Sequence, residues 1–543
     1  LGVRDLRGAG GRHRVTSRVL IAEALSPTAV RIFTERGIDV DQRNGLSAEA
    51  LKAAIATYDA IAIRSATRVD RDVIAAAARL KVIGRAGIGV DNVDVPAATA
   101  RGIVVMNTPY GNSVTTAEHT IAMMLALARQ LPAASASTHA GRWEKSRFMG
   151  VELTGKTLGI IGCGNVGSIV ADRARGLRMN VIAADPFLTP ERAGELGVEK
   201  VELPELQSRA DFITLHTALT PETRNLVDGE FLARCKKGVR IINCARGGLL
   251  VEADLKAALE SGHVAGAALD VFAEEPARQN ALFGMENVVC TPHLGASTLE
   301  AQENVARQLA AQMTDFLLTG AVTHAVNMPS VSAEDAPKLR PYMKLAEQLG
   351  GFAGQVTHSG ISSISVTYEG HAGTVNTRPL SNLMLVGLLR PSLDAVNMVN
   401  APLVAKERGI KVRETRLETE GDYHTLIELD VEAGSGNLRI AGTLFSGKPR
   451  LVAIDDVVLE AELTPQMLFI RNEDKPGFIG RLGTLLGNAG INIANFNLGR
   501  SKPGATAVCL VAVDAVVEPA VRDQIRLLPG VVDVDVLRFD NGG

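Results

Sequence analysis

Three residues far apart in the chain have the types that proton transfer and anion binding require. His293 stands in Thr291-Pro-His293, directly after a short apolar run at 287–290. Imidazole is the side chain whose ordinary pKa lets it take a proton near neutral pH. Such a base needs a carboxylate to orient it, and Glu274-Glu275-Pro276 supplies one, with Glu275 the choice. Arg246 lies in Asn243-Cys-Ala-Arg-Gly-Gly248, where small neighbours let a guanidinium close on a carboxylate with two parallel hydrogen bonds. Base, acidic partner and cation are the parts needed to oxidise a hydroxy acid. No Cys or His spacing suited to a metal accompanies them, so a metal-free site is expected.

The electrons of such an oxidation need a carrier, and Thr157–Gly167 provides its cradle. An apolar strand runs into Gly162, Gly164 and Gly167, spaced G-x-G-x-x-G with Asn165 and Val166 between, and then into an amphipathic helix. The first glycine permits the turn, the second admits a pyrophosphate, and the third lets helix pack on strand. The next strand, Val181–Asp185, ends in an acid that would accept from a ribose 2′-OH. Pro186-Phe187-Leu188 offers no arginine for a 2′-phosphate, so NAD is the expected cofactor.

Strands at 211–215, 239–243, 264–269 and 287–290 end in His216-Thr217, Asn243–Arg246, Asp270 and Thr291–His293. In a doubly wound sheet these ends form one crevice. Ahead of this lobe, strands at 18–22, 58–64, 80–84 and 103–107 alternate with helical stretches as in a second parallel α/β lobe. The expected fold class is therefore α/β, with a dinucleotide lobe of Rossmann type at 116–298 inserted in a substrate lobe at 18–115 and 299–330. A helix over 114–131, opened by a Thr115-x-x-Glu118 capping box and stopped by Pro132, would bridge the lobes, and one over 298–318 would return. Residues 331–465 read as an α+β domain with helices near 336–349 and 380–390. Residues 466–543 read as a ferredoxin-like β-α-β-β-α-β unit.

The 543 residues carry a net charge of −3, which gives no reason to expect nucleic acid or an anionic membrane as partner. No run of 18 apolar residues occurs. Five scattered cysteines fit a reducing, cytoplasmic setting. Residues 1–17, rich in Gly and Arg, read as a disordered extension.

Five motifs in order resemble the D-2-hydroxyacid dehydrogenase family: Gly162–Gly167, Asp185, Cys244-Ala-Arg-Gly-Gly248, Leu269–Pro276 and Thr291–Ser297. The resemblance implies that Arg246, Glu275 and His293 are catalytic and that Asp270 meets the nicotinamide carboxamide. Thr217, Cys244, Ala245 and Gly295 join the cofactor contacts. From 18 to 539 the chain further resembles the long branch of that family, which carries an intervening domain and an ACT domain. The stretches Val399–Gly409 and Asp474-Lys-Pro-Gly477 carry that likeness. The branch oxidises 3-phospho-D-glycerate toward L-serine, is commonly tetrameric and is often inhibited by L-serine. Arg64, Ser65, Arg85, Gly87, Asn112 and Lys145 are the candidates for the substrate's phosphate and carboxylate. Asp474 and Asn492, beside a helix N-terminus, are the candidates for an amino-acid effector. Two other readings share the motifs: a hydroxypyruvate or glyoxylate reductase, and an NAD-sensing scaffold. Both would lack the folded C-terminal third.

Overall fold

The computed structural model describes residues 17–331, 334–393, 396–419, 421–434 and 436–539; residues 1–16 of the expected extension lie outside them. The described strands gather into sheets of five, seven, six and four. The first is wholly parallel, in the order Asp39–Gln42, Arg18–Ile21, Ala60–Ile63, Val82–Arg85, Val104–Met106. The second is also parallel, in the order Val288–Cys290, Val264–Leu269, Val239–Asn243, Phe212–Leu215, Thr157–Ile161, Asn180–Ala184, Glu199–Lys200. Central strands such as Ala60–Ile63 and Phe212–Leu215 are buried throughout, as helices on both faces demand.

Helix Leu299–Thr319, capped by Thr298, returns the chain to the first sheet and lays Val305, Leu309 and Met313 in its core. Gly84 allows this approach, since a Cβ there would sit 2.2 Å from Met313 Sδ. The bridging helix runs Ser113–Ala128 without the expected capping box. Thr115 falls inside its first turn, where a helical backbone cannot make the cap, and its Oγ1 meets Thr298 Oγ1 at 3.3 Å instead. Pro132 does not end the helical run. Gln130 turns left-handed at φ 51°, and a second helix, Leu131–His139, begins with Pro132 in its first turn, where the missing N–H is no loss.

The six-stranded sheet is mixed. Lys411–Leu417 pairs parallel with Ile361–Gly370, and Thr425–Ala433, Gly436–Phe445, Lys448–Ile454 and Val457–Ala461 follow antiparallel. Helices Ala336–Val356 and Arg378–Leu389 cover it. The first runs past the expected end at 349, through Gly350-Gly351. Cβ atoms on Gly350 and Gly354 would lie 2.0 Å from Met384 O and 2.3 Å from Leu388 O, so these glycines are where the two helices touch. Close packing outweighs the roughly 1 kcal/mol per residue that glycine costs a helix.

The last sheet has the expected β-α-β-β-α-β order, with strands side by side as Ile493–Arg500, Thr506–Val513, Gln466–Glu473, Val531–Arg538. Leu468, Ile470 and Val511 face its own helices, Phe478–Asn488 and Pro519–Arg526. Met467, Phe469, Leu510 and Leu537 on the other face join the core of the preceding domain. There the Phe352 and Phe469 rings meet edge to face at 5.1 Å. No described helix is long and apolar enough to cross a membrane.

Candidate active site

A crevice of about 950 Å³ opens where the strands of the second sheet end against the first lobe. It joins Arg64, Ser65, Arg85 and Asn112 to Arg246, Glu275 and His293, with Val166, Thr217, Cys244, Ala245 and Gly295 also in its wall.

His293 is held in a left-handed backbone conformation, φ 56°, uncommon for a residue with a side chain. Asp270, fully buried, enforces it. Its carbonyl accepts from His293 N (2.9 Å), Oδ1 accepts from Thr291 Oγ1 (2.6 Å) and Leu294 N (2.7 Å), and Oδ2 accepts from Gly295 N (2.8 Å). Burial pushes the Asp270 carboxyl up, but hydrogen bonds from His119, Thr291 and Leu294 outweigh it and hold it below the usual range. The carboxylate expected at the nicotinamide thus frames the histidine's loop.

Glu275 Oε2 lies 2.6 Å from His293 Nδ1, and its Oε1 accepts from Phe272 N at 3.0 Å. Burial raises the Glu275 carboxyl, and the bonds from His293 and Phe272 N–H more than offset that, keeping it ionised. A carboxylate only accepts, so Nδ1 carries the proton and Nε2 is the free base.

Arg246 sits on a loop braced by Asn243, whose Nδ2 donates to Arg246 O at 2.8 Å. Gly247 lets that loop lie flat on the next strand end, since a Cβ would be 1.9 Å from the Phe272 carbonyl. The guanidinium donates from Nη1 to Ala245 O (2.7 Å) and from Nε to Asp91 Oδ2 (2.9 Å) across the crevice. On the opposite wall, Arg85 Nε and Asn112 Oδ1 are buried without a hydrogen bond. Burial, aided by the Arg246 charge, pushes Arg85 down to about 10. Unsatisfied buried polar atoms in a crevice wall are what a ligand would complete.

Glu23, which no sequence motif marks, holds the Arg64 loop by accepting from Arg64 N (2.9 Å) and Thr67 N (2.7 Å). Two substrate candidates fall elsewhere. Gly87 N donates to Thr108 Oγ1 at 2.7 Å, so that N–H is already used. Lys145 is exposed in the turn Lys145–Arg147, outside the crevice wall.

At the dinucleotide end, Gly162 has φ 89° and Gly167 packs 2.1 Å (as a Cβ) from Gly162 O, so both must be glycine. A Cβ on Gly164 would meet nothing within 4 Å, leaving an open cradle before helix Asn165–Gly176. Asp185 accepts from Cys163 N (2.7 Å) and Phe187 N (2.8 Å), with lone pairs to spare for a ribose hydroxyl. The residues present fit NAD.

Asp474 and Asn492 have different partners. Asp474 Oδ2 accepts from Arg500 Nη1 (2.7 Å) and Gly504 N (3.1 Å), whereas Asn492 Nδ2 donates to Asp514 Oδ2 (2.6 Å).

Residues 121–295 match the D-isomer specific 2-hydroxyacid dehydrogenase NAD binding domain, 338–455 the D-3-phosphoglycerate dehydrogenase intervening domain, and 466–529 the ACT domain. A D-3-phosphoglycerate dehydrogenase of Archaeoglobus fulgidus is 43% identical over 95% of this chain and 99% of its own length. The chain belongs to the D-3-phosphoglycerate dehydrogenase family. A member from Bacillus subtilis is 40% identical over 96% of this chain and 99% of its own. Solved structures match a little over half of the chain. A glyoxylate reductase from Paecilomyes thermophila has 30% identity and a TM-score of 0.54, covering 57% of this chain and 98% of its own. A D-lactate dehydrogenase from Aquifex aeolicus, complexed with NAD and lactic acid, has 25% identity and a TM-score of 0.52 over 57% and 100%. The cofactor of this family's dinucleotide lobe is NAD.

Proposed function

We propose that the protein oxidises 3-phospho-D-glycerate to 3-phosphohydroxypyruvate with NAD, the first step toward L-serine. The observation that carries this reading is a crevice in which the His293–Glu275 pair faces three arginines, Arg64, Arg85 and Arg246. A simple hydroxy acid has one carboxylate to neutralise, whereas a phosphorylated one calls for more cations. Arg246 takes the carboxylate, and Arg64, Ser65 and Arg85 take the phosphate, with Asn112 completing the wall. His293 Nε2 removes the hydroxyl proton while the C2–H bond breaks and the carbonyl forms. NAD, when bound, accepts the hydride. Glu275 then stabilises the imidazolium. Absorbance of NADH on mixing enzyme, NAD and 3-phosphoglycerate tests the reading. Turnover should far exceed that with D-lactate or D-glycerate, and its absence would refute the assignment.

The ACT domain supports an amino-acid effector, which we assign as L-serine with Asp474 and Asn492 in its site. We also assign a cytoplasmic homotetramer. Free thiols at all five cysteines fit the compartment, and Trp143 and Met149, 86% and 79% exposed beside Lys145, offer apolar surface for assembly. Light scattering of the purified protein measures the oligomer directly.

A further inference from the structure

A guanidinium on a long side chain is useful for orienting a substrate only if its plane is fixed. Arg246 offers five N–H groups, and two are engaged: Nε with Asp91 and Nη1 with Ala245 O. Three N–H groups remain, one on Nη1 and two on Nη2, enough for a carboxylate to take two of them.

Asp91 is well placed to fix that plane. Its neighbour Asn92 ties the loop down, donating to Arg64 O (2.7 Å) and Thr67 O (2.6 Å), while Val69 N donates to Asn92 O (2.9 Å). Three residues on, Asp94 caps helix Val95–Ala100 by accepting from Ala97 N (2.9 Å). The Asp91 carboxylate is therefore presented from an anchored backbone. Gly89 lies beside that contact: a Cβ there would sit 1.7 Å from Arg246 Nη2 and 2.6 Å from Asp91 Oδ2. Arg246 thus meets an acid and a bare stretch of main chain side by side, both from the opposite lobe.

We propose that Asp91 is a positioning residue for the reaction above: it holds Arg246 Nε so that the Nη edge faces the substrate carboxylate. Gly89 serves the same end by leaving room for the guanidinium. This rests on the assigned reaction and adds a residue to it. The acid also belongs to the substrate lobe while the arginine belongs to the dinucleotide lobe, so the clasp sets the arginine relative to the wall that holds the phosphate.

The test uses the full chain with Asp91→Ala, Asp91→Asn and, independently, Gly89→Ala. In Asp91→Ala, kcat should fall about tenfold and KM for 3-phosphoglycerate should rise severalfold, the scale of one lost charge-assisted hydrogen bond. NADH affinity, read by fluorescence, should not change. Asp91→Asn should recover most of the loss, because its amide oxygen still accepts from Nε, and Gly89→Ala should reproduce the loss. A lower KM in Asp91→Ala would show instead that Asp91 competes with substrate for Arg246, and would overturn the proposal. So would wild-type kinetics, or a loss matched by an equal loss of NADH affinity. An inactive wild-type enzyme would refute the assigned reaction, whereas an active one with a normal Asp91→Ala refutes only the clasp.

Discussion

The catalytic crevice and the ACT loop are both made of polar and charged residues at strand ends, yet they dispose of their charges in opposite ways. The crevice leaves Arg85 Nε and Asn112 Oδ1 buried and unbonded, and Arg246 spends only two of its five N–H groups on Asp91 and Ala245 O. The ACT loop turns inward: Asp474 takes Arg500 and a backbone N–H, and Asn492 takes Asp514. A site that leaves a donor and an acceptor unsatisfied is organised before its ligand arrives, as catalysis by fixed dipoles requires. At the ACT loop the Asp474 charge is already shared with Arg500, so a ligand there would meet a paired charge, not an open one.

The sharpest way to break this contrast is at His293. His293→Asn should lower kcat by roughly 10²–10⁴, the worth of a positioned base, with NADH binding intact. Near-normal turnover would mean that the prearranged crevice does not contain the base. Next in size, Arg246→Lys keeps the charge but loses the planar fork, and kcat/KM for 3-phosphoglycerate should fall about 10²-fold. Retained kcat/KM would show that only charge matters there.

At the ACT loop the effects should be smaller and confined to regulation. Asp474→Ala should weaken inhibition by L-serine by about 5–150-fold, the usual range of coupling between sites, and leave uninhibited kcat near wild type. If inhibition is unchanged, the Asp474–Arg500 pair is a plain surface ion pair and the effector site lies elsewhere. Smallest in activity is Gly354→Val at the helix contact. Overpacking of this kind costs about 1–3 kcal/mol, so the unfolding midpoint of the C-terminal half should drop by several degrees while kcat holds. A parallel loss of kcat would mean that the strain reaches the first lobe through Val399, which sits in that lobe's core.

What could be read in the sequence follows the same division. The glycine loop, Asp185 and the strand-end residues were legible because local spacing carries them: a turn, a helix start and a β-strand period suffice. Asp91 and Glu23 were not. Each is a single acid in an ordinary loop, and Asp91 acquires its role from an arginine 155 residues away. Distance misled in the other direction at Thr115, where a plausible local cap lost its hydroxyl to Thr298, 183 residues on. Strands Asp39–Gln42 and Lys411–Leu417 escaped notice because edge strands need no apolar alternation; the second is exposed along its whole length. The helix that runs through Gly350-Gly351 looked finished for a related reason. Its glycines answer to a neighbouring helix that no local rule could supply.

The double-faced last sheet has a practical consequence for anyone who would cut this chain. A fragment ending at 465 would strip Met467, Phe469, Leu510 and Leu537 from the core they share with Leu349 and Phe352, leaving those side chains against water. Such a fragment should aggregate, and any change in its regulation would say nothing about where an effector binds. A break ahead of helix Ala336–Val356 respects that core, because it removes both faces of the sheet together with the helix that covers one of them. Deleting the ACT domain alone is, in this molecule, surgery on two domains.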